Sequence, residues 1–71
     1  MSQFDDPTND ERAEAAAVAV TAYMEVKEPH EDIDESSVTG LLADLMHYCD
    51  KNGFNFEACV AMADIHHEAE V

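Results

Sequence analysis

The chain has 71 residues, 46% of them apolar, and its 17 Asp and Glu against three Lys and Arg leave a formal net charge of −14. Charge of that sign argues against direct contact with nucleic acid or an anionic membrane, since both need a basic footprint, and makes a basic partner the expected one. The apolar fraction argues against wholesale disorder, but much of it is alanine and so short a chain buries a small core, so a homodimer is a reasonable expectation.

Residues 1 to 6 read as a frayed N-terminus, and residues 7 to 71 as a single helical domain. Two openings for the first helix remain. Asp6-Pro7 places proline at the first helical position behind a capping acid, and Thr8 with Glu11 makes a capping box one register later. Asp10, Glu11 and Glu14 then sit near the positive end of the helix dipole. Ala13 to Ala22 is the strongest helix-propensity run in the chain. Ala16, Ala19, Val20, Tyr23 and Val26 make its expected buried stripe. Pro29 should stop this helix, about residues 8–27, at Lys27 or Glu28.

An acidic connector follows over residues 28–35, with Ile33 expected to tack it to the core. The second helix, about 36–52, begins near Asp34 to Ser37. Val38, Leu41, Leu42, Leu45, Tyr48 and Cys49 recur at three- and four-residue spacing, which is an amphipathic helix. Gly40 costs about 1 kcal/mol there relative to Ala, and a close helix crossing is one reason to tolerate it. Lys51 complements the negative end, and Asn52-Gly53 is a stop signal with glycine in the left-handed position.

Asn55 is the natural cap of the third helix, about 56–70, with Phe54 and Cys59 as a hydrophobic staple. Phe56, Cys59, Val60, Ala63 and His67 share one face, with Ala58, Met62, Ile65 and Ala69 beside it. So wide an apolar arc predicts packing on two neighbours. The short connection makes helices two and three an antiparallel hairpin. The expected fold is therefore all-α with three helices.

Cys49 and Cys59 lie in apolar helical stretches and, with no secretory signal, read as reduced, buried thiols of a cytoplasmic protein. No stretch approaches the ~20 apolar residues of a membrane span. His47, His66, His67 and a carboxylate could meet across the hairpin. No zinc-type spacing supports that, and histidines edging the core are the simpler reading, so no metal or other cofactor is assigned. No nucleophile elbow, phosphate loop, HExxH pair or Cys-His-Asp arrangement occurs, so no catalytic residue is assigned and a non-enzyme is expected.

The acids themselves are the remaining candidates. Glu57, Asp64 and Glu68 fall on one stripe of the third helix, and Glu31, Asp32, Asp34 and Glu35 crowd the connector. Carboxylates so spaced could imitate the phosphates a basic groove expects; a merely solvated surface is the plainer alternative.

Two resemblances attach to particular residues. Leu41 to Phe56, from Leu-Leu-Ala-Asp-Leu-Met-His to Asn-Gly-Phe-Asn-Phe, resembles the helix-turn-helix end of MazG-like all-α nucleotide pyrophosphohydrolases, which hold Mg²⁺ on helix-borne Glu and Asp. Asp44 matches the metal-site Asp, whereas Leu41 stands where a Glu is expected. From Val38 to Glu70, through Leu42-Ala43-Asp44-Leu45-Met46-His47, Asp50, Gly53, Phe56, Ala63, His66 or His67 and Ala69-Glu70, the chain also resembles short uncharacterised proteins of bacteriophages, plasmids and integrated elements. That likeness covers about half the chain and implies a role in a host cell.

The reading that follows is a non-enzymatic acidic interaction protein. It would bind a basic host protein, such as a nucleic-acid-binding complex, as an inhibitor or DNA mimic of the anti-CRISPR or anti-restriction type. The alternatives are a MazG-like metal-dependent nucleotide hydrolase or its degenerate relative, and a halophile-type helical dimer with a housekeeping role.

Overall fold

The computed structural model describes residues 9 to 69. They form α1 (Asn9–Lys27), α2 (Glu35–Asn52) and α3 (Phe56–Ala69), with no strand among them. The alternative openings at Asp6-Pro7 and Thr8, and the frayed start, lie outside the described residues.

Each boundary has a local cause. At the end of α1 the Glu28 amide still donates to the Met24 carbonyl at 2.8 Å; Pro29 then has no amide to continue the ladder. Asp34 caps α2 from an extended backbone. Its Oδ1 accepts from the amide of Ser36 at 2.9 Å and of Ser37 at 3.4 Å, and from the Ser36 hydroxyl at 2.6 Å. Ser37 closes the reciprocal half of the box, its Oγ accepting from the Asp34 amide at 3.0 Å. Serine thus does here what Glu or Gln does in the commoner box.

Gly53 ends α2 in the left-handed region at φ 74°, and the Phe54 amide returns to the Cys49 carbonyl at 2.8 Å. Tyr48 and Phe54 meet edge to face across this turn, with centroids 6.2 Å apart. Asn55 then caps α3, accepting from the Ala58 amide at 2.9 Å. Three residues, Gly53, Phe54 and Asn55, thus separate one helix from the next, and α3 turns back along α2 as an antiparallel hairpin.

The packing is open. α1 lies on α2 and α2 on α3, but α1 and α3 do not meet among the described residues. The expected second neighbour of α3 is therefore not found among the described residues. Among the described residues the buried apolar side chains are Met24 and Cys49, both 7% exposed, and α3 buries no side chain at all. Three further expectations are corrected. Val20 and Tyr23 are half-buried as expected, but Ala16 and Ala19 are exposed and Val26 is 83% exposed. The covered stripe on α1 runs instead through Val20, Tyr23 and Met24, because Tyr23, with the exposed Lys27 one turn later, reaches toward a carboxylate on α2 and sets the rotation of the helix. Ile33 leaves about half its surface in solvent, so it does not tack the connector down. Cys59 is exposed rather than buried: it lies beside Cys49 of α2, but no other element covers that part of α3 among the described residues.

Candidate interaction surface

The crossing of α1 and α2 is held by polar groups. The Tyr23 hydroxyl donates to Oδ2 of Asp44 at 2.6 Å, and Lys27 Nζ lies 3.1 Å from the same oxygen. Tyr23 and Lys27 are four residues apart on α1 and so share one face. The Tyr23 bond, then Lys27, holds the Asp44 carboxyl below its ordinary value. The same bond raises the Tyr23 hydroxyl, and Asp44 likewise raises the Lys27 ammonium. Asp44 is thus the residue that fixes α1 on α2, and its carboxylate is already engaged by a hydroxyl and an ammonium. The signal available in the sequence was a lone acid one turn after Gly40, on a helix face that otherwise reads as apolar.

The seven acids singled out from the sequence fall into two sets. Glu31 and Asp32 are exposed on the connector, and Glu35 is exposed in the first turn of α2. Asp34 sits among them, but its carboxylate is spent on the cap, where bonds from Ser36 and then Ser37 hold it below its ordinary value. Glu57, Asp64 and Glu68 are exposed on α3. Glu35 and Glu57 are divided by α2, roughly 27 Å long at 1.5 Å per residue. The structure therefore brings the three α3 acids together on one helix and sets the connector acids apart from Glu57.

At 100° per residue the three α3 acids fall within about 40° of arc. The opposite side of α3 is a shallow groove lined by Ala58, Cys59, Met62, Ala63, His66 and His67, with no carboxylate among the described residues that line it. Met62 is 55% exposed, and Ile65 at the edge of this face 61%. On α2 the stripe Val38, Leu42, Leu45 and Cys49 is covered only at its Cys49 end, where α3 arrives; the other three are 39–46% exposed. Burial pushes the Cys49 thiol up, with Cys59 beside it adding to the effect. Helix α3 is therefore two-sided, acid on one side and apolar on the other, and it touches α2 along only part of its apolar side.

Among the described residues no group of three or more His, Cys, Asp or Glu stands close enough to hold a metal ion. His47, His66 and His67 are each exposed. No helix among these residues is long and apolar enough to cross a membrane. No protein-family model, curated protein or solved structure matches the chain.

Proposed function

We propose that this chain is a non-enzymatic interaction protein whose α3 acid stripe binds a basic partner protein in place of nucleic acid. The observation that carries the reading is the stripe itself: Glu57, Asp64 and Glu68, all exposed and in line on one helix side. Their rises of roughly 10 and 6 Å along the helix are close to three and two phosphate steps of a DNA strand. With a net charge of −14 behind them, a basic groove would be drawn in over long range. The likeness of the C-terminal half to short proteins of phages and plasmids points to a host protein as target, in the manner of an anti-restriction or anti-CRISPR inhibitor.

The hydrolase alternative has less support, because Leu41 stands where its metal-site Glu is expected and the matching Asp44 is already engaged through Oδ2 by Tyr23 and Lys27. Its direct check is pyrophosphate release from a nucleotide panel with Mg²⁺.

A Lys- and Arg-rich peptide of the kind that lines nucleic-acid grooves tests the stripe. Reversing Glu57, Asp64 and Glu68 to Lys should weaken its binding most at low salt. Reversing three acids of α1, Asp10, Glu14 and Glu25, changes net charge equally and should cost less. Equal losses from the two triple variants would reduce the interaction to bulk charge and remove the stripe as a site.

A further inference from the structure

We propose that the open apolar side of the α2–α3 hairpin is covered by the same side of a second copy of this chain, so that two hairpins make a four-helix bundle with both acid stripes outward. Val38, Leu42, Leu45 and Cys49 follow one another at spacings of four, three and four on α2, and Cys59, Met62 and His66 at three and four on α3. This is the seam pattern of packed helices. The two seams touch where Cys49 and Cys59 approach, and elsewhere both stay open to solvent. A two-fold axis lets one such face serve both partners, since each copy presents what the other lacks.

Area and charge both favour a second copy over a basic protein on this side. Val38, Leu42 and Leu45 on α2 and Met62 on α3 each leave 39–55% of their surface in solvent, and this apolar area is what the face brings toward the ~800 Å² each partner gives to a standard stable interface. Among the described residues no carboxylate lines the α3 groove, so they offer a basic partner nothing to pair with there. The acids stand on the far side of α3, about one helix diameter of ~10 Å away, so across the bundle the two stripes lie more than two Debye lengths of ~8 Å apart at physiological salt. The described residues, whose buried apolar side chains are Met24 and Cys49, also provide little core to hold α3 in place. An identical copy is the one partner present wherever the chain is made.

Sedimentation equilibrium on the full chain, with thermal melts over a range of chain concentration, decides the matter. The expected result is twice the 7.8 kDa chain mass, a midpoint that rises with concentration, and self-association that tightens with added NaCl. The sign of that salt effect is opposite to the one expected for the acid stripe on a basic peptide, so failure of either reading shows separately. Met62→Glu should weaken self-association at least tenfold, while Val26→Glu on α1 should leave the mass unchanged. If Met62→Glu does not fold, the wild-type concentration series still decides. A single-chain mass with a concentration-independent midpoint, a mass above two copies, or equal sensitivity to the two substitutions overturns the bundle. A single-chain mass would leave the groove to an apolar helix of another protein.

Discussion

The hydroxyl of Tyr23 reaches Asp44 at 2.6 Å by passing over Gly40, where a Cβ would lie 3.3 Å from the hydroxyl oxygen. Glycine in the middle of α2 is thus explained by the tyrosine that crosses it. Gly40→Ala gains helix propensity but presses on the hydroxyl, so in the wild type the two effects should nearly cancel. In a Tyr23→Phe background the obstruction is gone, and the same substitution should stabilise by up to about 1 kcal/mol. Denaturant melts of the four chains in this cycle measure the coupling; additivity would mean that Tyr23 does not set the crossing.

The pH response of the crossing follows from Asp44. Its carboxyl is held below the ordinary 3.8 in the folded chain. The stabilisation is therefore fully present above 3.8 and is lost as pH falls through the lower folded-state value. Asp44→Asn should be less stable than wild type at neutral pH, and the gap should close in acid. Taking the difference between the two chains removes the general relief of repulsion that acid brings to a protein of net charge −14. In alkali the sign reverses for Tyr23. Its folded value is raised above the usual 10.0 by Asp44, so its bond survives past that pH and goes as pH climbs through the raised value.

Rotation of α1 makes a pair of side chains diagnostic. Met24→Ala should cost about 2 kcal/mol, at the low end for a core methionine because the site is partly open. Val26→Ala, with most of its surface in solvent, should stay within about 0.5 kcal/mol of wild type. Chemical denaturation of the two variants distinguishes this rotation from one that buries Val26, which would reverse the order.

The turn that aims α3 depends on one backbone angle. Gly53 at φ 74° occupies a region costly to any residue with a Cβ, and Gly53→Ala should destabilise by about 1 kcal/mol. Nothing stands within 4 Å of a Cβ there, so the loss would come from the backbone alone. Gly53→Asn should recover part of it, since asparagine tolerates this conformation. A melt in which Ala and Asn behave alike would point away from the left-handed angle.

The three helices and the boundaries between them were legible because their signals are local: Pro29, the Asn52-Gly53 stop, the Asn55 cap and the three- and four-residue periodicity of α2. The rotation of α1 was not. Alanines surround its helix almost evenly, so the apolar pattern gives no direction, and the deciding contact is a tyrosine–aspartate bond 21 positions apart in sequence. The acid stripe of α3 was legible from spacing alone. The exposure of Cys59 was not, because a wide apolar arc says how much surface wants cover without saying which chain provides it.

The separation of acid and apolar sides on α3 is best tested by one variant, Glu57→Lys with Asp64→Lys and Glu68→Lys, weighed by sedimentation and titrated with the basic peptide. Two separate surfaces predict that it keeps the two-copy mass and loses most of its low-salt affinity for the peptide. A variant that falls to single chains, or binds the peptide as wild type does, would contradict that division.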